Sequence, residues 1–204
     1  MMIDPDIFFS IAILIMSVVV HEVSHGYAAL ALGDRTALLA GRLTLNPVKH
    51  LDAMGSFIVP IVTYLSTKTM FGWAKPVPYN PYNLSDQVWG EAKVALAGPA
   101  SNFVLALVFT VLLRVFAPFW QEIEVSNIFY MIIVINVFLG FFNLVPIPPL
   151  DGSKLLFSLL PYKHRHIQEW IEQYSLVLIL VFVFFMWDFV SPLVFSVANL
   201  LIGG

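Results

Sequence analysis

The chain has 204 residues, 59% of them hydrophobic and only 11% charged, with a mean hydropathy of +0.86, which excludes an ordinary soluble domain and indicates an integral membrane protein. Ten basic against thirteen acidic residues give a net charge of −3 and no basic field suited to nucleic acid. Cysteine is absent, so there are no disulfides, and any metal must be held by His, Asp or Glu.

Four apolar segments, 7–32, 92–118, 127–148 and 174–201, reach the length a bilayer core requires. The first follows Asp4 and Asp6 rather than a basic stretch, and it outruns a signal-peptide core, so it is expected to be retained. Inside it lies His21-Glu22-Val23-Ser24-His25. Ionisable groups in such a segment are costly unless they perform a task there. On a helix, His21 and His25 share one face and can bind one metal ion. Glu22 can then serve as base on a metal-bound water, as on the helix of zinc metalloproteases.

The loop at 33–84 carries two stretches, 36–45 (TALLAGRLTL) and 71–78 (FGWAKPVP), that read as short strands of a membrane-associated sheet. Between them, 56–66 is apolar but too short to span and reads as a partly inserted helix. His50, His164 and His166 fall in polar loops and are expected to be solvated or capping, His50 being set apart by nearby Asp52. Past the third apolar segment, Pro146, Pro148 and Pro149 stop the helix ahead of Asp151-Gly152. A catalytic zinc takes three protein ligands and keeps one position open, and Asp151 is the candidate third ligand. It could instead cap the helix that follows. Asn143 could donate to the oxyanion of a tetrahedral intermediate, or bond between packed helices. Residues 154–172 read as an interfacial, partly amphipathic helix pair.

Charge placement orients these spans. Arg35, Arg42, Lys49, Lys68, Lys75 and Lys93 lie between the first two, Lys154, Lys163 and Arg165 between the last two, and Glu122 and Glu124 in the remaining connection. The positive-inside rule then puts both termini outside and the first and third loops in the cytosol, provided 56–66 does not cross.

His21-Glu22-x-x-His25, together with Asn143-x-x-Pro146-x-Pro148-x-Leu150-Asp151-Gly152, resembles the site-2 protease family of intramembrane zinc metalloproteases. Gly41-Arg42-Leu43-Thr44-Leu45-Asn46-Pro47 with His50-x-Asp52, and Ala97-Gly98-Pro99-x-Ser101-Asn102, match further family segments, over about residues 15 to 160. The resemblance implies one Zn2+ per chain on His21, His25 and Asp151, with Glu22 as general base, and cleavage of transmembrane protein substrates near the cytosolic side. Asn102 is a candidate for substrate or oxyanion support. Residues 119–126 leave no room for the PDZ domain many members carry, and no CBS domain follows, as in a minimal-core member of a prokaryotic cell membrane.

The expected fold is thus an all-α polytopic membrane protein with about four full transmembrane helices, a short inserted helix and a small membrane-associated β-sheet, forming one domain over residues 1–204. A metal transporter or an inactive family scaffold is the alternative. Neither needs a base that is not a ligand, and the internal repeat common in transporters is missing.

Overall fold

In the computed structural model, which describes residues 5–52, 54, 58, 74–116, 123–161 and 164–203, the first apolar segment is a single helix, α1 (Pro5–Ala31). It stops where Gly33 takes a φ of 101°, a left-handed conformation that costs glycine little. A four-residue helix, α2 (Thr36–Leu39), comes next. An irregular loop follows, with single 3-10 turns at Pro47–His50 and Pro81–Asn83. Two long helices then cross back and forth, α3 (Gly90–Phe116) and α4 (Ile123–Asn143). The rest is α5 (Gly152–Leu159), α6 (Arg165–Gln173), α7 (Ser175–Val181) and α8 (Trp187–Ile202), the last two joined by a π-helical turn at Phe182–Met186.

Helices in lipid gain little from burying apolar surface against one another, so they associate through close packing of small residues. Here α3, α4 and α8 meet at Ala106, Ile133, Val137, Val194 and Ala198. At Gly140 an added Cβ would come within 2.7 Å of the Phe103 ring, so α4 must be bare there for α3 to approach. A smaller cluster of Ala29, Leu84 and Val94 joins the end of α1, the loop and the start of α3. Large apolar side chains such as Leu14, Val104, Leu107, Val111, Phe184 and Phe185 are exposed. In water that surface would be a liability, whereas in a bilayer it faces the acyl chains.

Two expectations from the sequence are corrected. Among the described residues there are no strands, so the small membrane-associated β-sheet is not present. Residues 36–39 form α2 because Asp34 Oδ1 accepts from both the N–H and the hydroxyl of Thr36 at its start. Gly41, with a φ of 63°, then breaks any extended run. The return stretch 74–80 is irregular because Pro76 and Pro78 have no N–H, while Val77 N–H goes to Glu22 and Asn80 N–H to Asp34. The two stretches are held together by Arg42, whose guanidinium donates to the carbonyls of Lys75 (2.7 Å) and Pro76 (3.3 Å). The second correction concerns the spans. Among the described residues three helical stretches, Phe8–Ala31, Gly90–Phe116 and Ser126–Asn143, are long and apolar enough to cross. A fourth crossing requires counting Arg165–Gln173 and Ser175–Phe185, bent by 70°, as one span. The predicted inserted helix at 56–66 lies almost wholly outside the described residues. The interfacial pair predicted at 154–172 corresponds to α5 and α6.

His50 is not solvated. It is buried, and its Nε2 donates to the Thr44 carbonyl at 2.8 Å, bracing the loop from inside.

Asp34 anchors the loop to α1. It is fully buried and accepts from Thr36 N–H (3.1 Å), Thr36 Oγ1 (2.6 Å), Asn83 Nδ2 (2.9 Å) and Asn80 N–H (2.8 Å). Burial pushes its carboxyl up, but the bonds from Thr36, Asn83 and Asn80 outweigh this and hold its pKa below the ordinary value. A carboxylate with a depressed folded-state pKa contributes stability above the unfolded value, about pH 4, and loses it as pH falls through the folded value. Asp34→Ala should cost about 2–4 kcal/mol, a fall of about 5–15 °C in the unfolding midpoint measured in detergent at pH 7. The gap between variant and wild type should narrow as pH falls below about 4, as the ionisation-linked part of the stability is lost.

Candidate metal centre

One helical turn of α1 separates His21 from His25, and their rings stand perpendicular (88°) with centroids 4.6 Å apart. The third group arrives from the break after α4. Turns reverse the chain, with Leu144 N–H bonded to Phe141 O, Ile147 N–H to Val145 O and Leu150 N–H to Ile147 O. Gly152 lies so close to the Leu144 carbonyl that a Cβ there would overlap it, which is the physical reason for a glycine after the aspartate. Asp151 occupies the N-cap position of α5, yet its side chain makes no capping bond. Its Oδ2 instead lies 3.0 Å from His21 Nε2 and 3.2 Å from His25 Nε2, and the two Nε2 atoms are 3.0 Å apart.

The donor chemistry tests whether a metal fits. His25 Nδ1 is 2.7 Å from the Val94 carbonyl, which can only accept, so Nδ1 carries the proton and Nε2 presents a lone pair. His21 Nδ1 is 2.6 Å from Asn102 Oδ1, also an acceptor. With both rings neutral and their protons on Nδ1, two imidazole lone pairs and a carboxylate oxygen face one another at 3.0–3.2 Å. That arrangement is repulsive without a cation. Zinc bonds of about 2.0–2.2 Å in tetrahedral geometry set ligand atoms about 3.3–3.6 Å apart, close to the separations seen. The residues fit zinc. His21, His25 and Asp151 also form the one three-residue group among the described residues whose donor atoms all lie within 4.8 Å.

Gly98 of α3 completes the enclosure. A Cβ there would come within 2.5 Å of His25 Cε1 and Nε2 and within 2.6 Å of His21 Cε1, so only glycine lets α3 close over both rings.

A cavity of about 350 Å³ opens beside the three donors. Glu22, Val77, Tyr79, Asn143 and Lys154 all contribute to its lining. Glu22 stays out of the donor cluster, and its Oε2 accepts from Val77 N–H at 2.8 Å. Asn143 does reach the cavity, with one amide hydrogen given to the Leu139 carbonyl at 3.0 Å. Asn102 does not line it. Fully buried, it lies behind His21.

Sequence reasoning passed over several residues here. Lys154 donates to the Tyr79 hydroxyl at 2.7 Å and sits 4.5 Å from the centroid of that ring, the one Lys or Arg among the cavity-lining residues. Burial pushes the Tyr79 phenol above its usual range despite the adjacent ammonium, which keeps it neutral. The available signal was position, since Lys154 is three residues beyond Asp151 and so on the same helix face. Asn136 was also missed, though a lone amide in Ile-Ile-Val-Ile-Asn-Val-Phe-Leu is as costly in lipid as a histidine pair is conspicuous.

Comparison with known proteins bears on this geometry. The chain is 36% identical over 186 residues to YwhC of Bacillus subtilis (strain 168), covering 88% of this chain and 79% of that protein. It is 32% identical over 163 residues to Rip2 of Mycolicibacterium smegmatis, covering 68% of this chain and 52% of that protein. With MJ0611 of Methanocaldococcus jannaschii it is 39% identical over 95 residues, covering 44% of this chain and 46% of that protein. All three names assign their proteins provisionally to the zinc metalloproteases. No solved structure matches the chain. The model of peptidase family M50 matches residues 9–119 and 117–186, and with the HExxH helix and the distant aspartate brought together at one centre, the chain belongs to peptidase family M50, the site-2 proteases.

Proposed function

We propose that the chain is an intramembrane zinc metalloprotease that hydrolyses peptide bonds in or near transmembrane segments of other membrane proteins, with His21, His25 and Asp151 holding the zinc and Glu22 as its base. The observation that carries this reading is the convergence of three ligand-type atoms, from His21, His25 and Asp151, beside a carboxylate, Glu22, that is not one of them. A transport site has no use for that fourth group.

A bound zinc would supply the Lewis acidity that polarises a carbonyl and acidifies water. Everything else falls to the chain. Val77 N–H holds Glu22 Oε2, leaving Oε1 to take the proton of the attacking water and pass it to the departing amine. Asn143 keeps a second amide hydrogen that can donate to the oxyanion of the tetrahedral intermediate. Gly98 and α3 close the rear of the site, so water and substrate enter from the side of the cavity walled by Pro76, Tyr79 and Lys154. A substrate helix satisfies its own backbone, so it must open locally before a bare carbonyl can reach this cavity.

The charge pattern supports a cytosolic opening with both termini external. The bond from Lys75 N–H to the His50 carbonyl at 2.9 Å supports one side of the membrane for both loop positions. Reporter fusions after Lys49, Lys75 and Lys154 should all read cytoplasmic, and fusions at Glu122 and Gly204 external. Opposite readings at 49 and 75 would refute this orientation.

Glu22→Gln should retain zinc after purification while cleavage of a co-expressed single-span substrate falls about 10²–10⁴-fold. Alanine at His21, His25 or Asp151 should lose both. Zinc loss in Glu22→Gln with retention in Asp151→Ala would overturn the assignment.

A further inference from the structure

His21 must present Nε2 to the metal, and nothing in an imidazole by itself decides which nitrogen carries the proton. For His25 a backbone carbonyl decides it. For His21 the partner is the side chain of Asn102, which could present either its oxygen or its nitrogen. Reversed, Asn102 would donate to Nδ1, the proton would move to Nε2, and the ligand atom would be blocked.

A chain of bonds across three helices removes that freedom. Asn136 Nδ2 is 2.9 Å from the Ile132 carbonyl, which can only accept, so the nitrogen end of Asn136 is fixed there. The same nitrogen donates to Ser17 Oγ on α1 at 2.9 Å. Asn136 must therefore turn its oxygen toward Asn102, and Asn102 Nδ2 donates to it at 2.9 Å. Asn102 then has only its oxygen left for His21, at 2.6 Å. Asn102 and Asn136 are both fully buried and Ser17 nearly so, which shuts out water as a substitute partner. The chain of bonds starts at a backbone carbonyl of α4 and ends at the imidazole of His21.

We propose that Asn136, acting through Asn102 and supported by Ser17, is a positioning residue that sets the tautomer of His21 and so the metal affinity of the centre. The inference rests on the zinc reading of that centre. Groups that hold the far nitrogen of a metal-binding histidine commonly govern affinity by 10–100-fold.

Three variants, purified in detergent and titrated with zinc against a competing chelator, test this. Asn136→Leu removes the acceptor that orients Asn102 and should weaken zinc binding about 10–100-fold. Asn136→Asp, protonated in this buried setting, keeps an acceptor for Asn102 and a donor for the Ile132 carbonyl, and should stay within about threefold of wild type. The double variant Asn102→Asp, Asn136→Leu should recover most of the lost affinity. At position 102 the new side chain faces the Nδ1–H of a zinc-bound imidazole rather than a neutral amide, so it stays ionised, accepts through both oxygens and needs no orienting partner. Helix content by circular dichroism identifies a variant that fails to fold, and Asn136→Ala, which removes the same acceptor with less bulk, takes the place of Asn136→Leu in both comparisons if it does. Equal affinities for Asn136→Leu and Asn136→Asp, or a double variant as weak as Asn136→Leu, would overturn the proposal and leave Asn136 a packing residue. Failure of the wild type to bind zinc would instead overturn the reading of the centre itself.

Discussion

Hydrogen bonds behind the two imidazoles, from His25 Nδ1 to the Val94 carbonyl and from His21 Nδ1 to Asn102, turn both Nε2 atoms toward Asp151. Much of the bundle is arranged around that requirement. Val94 and Asn102 belong to α3, so α3 must run alongside the C-terminal half of α1, and Gly98 between them must lack a side chain. Asn136 belongs to α4, which places the third helix against the other two at the same level. Asp151 can enter only because α4 ends at Asn143 and the proline-rich reversal returns the chain toward the histidines. In a medium that offers no water to a stray polar group, each bond in this set also removes a desolvation cost.

A second constraint acts on the loop side. Glu22 accepts from Val77 N–H, and Val77 stays in place because Asp34 ties down Asn80 and Asn83 while Arg42 holds the carbonyls of Lys75 and Pro76. One charged side chain buried at the end of α1 thereby fixes a stretch of backbone across the cavity. Arg42, Asn46, Pro47 and His50 lie in the segment between α2 and that stretch, and their bonds are internal to the loop rather than directed at the centre. This gives a structural reason for the Gly-Arg-Leu-Thr-Leu-Asn-Pro pattern that needs no contact with substrate.

The candidate ligand pair was legible from the sequence because charge in an apolar segment is expensive and the four-residue spacing of His21 and His25 admits few uses. Asp151 was legible from the prolines before it and the glycine after it. The loop was misread. The stretches 36–45 and 71–78 have the composition of strands, but a ladder needs free N–H groups, and here two prolines lack them while side-chain carboxylates take those of Val77 and Asn80. Such competition depends on Glu22 and Asp34, which are remote in sequence, so no local pattern reveals it. Asn102 was a candidate for substrate or oxyanion support from its motif, and its burial and two partners set it behind His21. The last apolar segment has the length of a span, but length alone did not disclose the π-helical turn at Phe182–Met186.

The most direct test of the account is X-ray absorption at the zinc edge of the purified protein. Two imidazoles and one carboxylate at about 2.0–2.2 Å, with one further light ligand at the open position and one zinc per chain, is the expected result. A first shell containing one imidazole, or more than two, would contradict it.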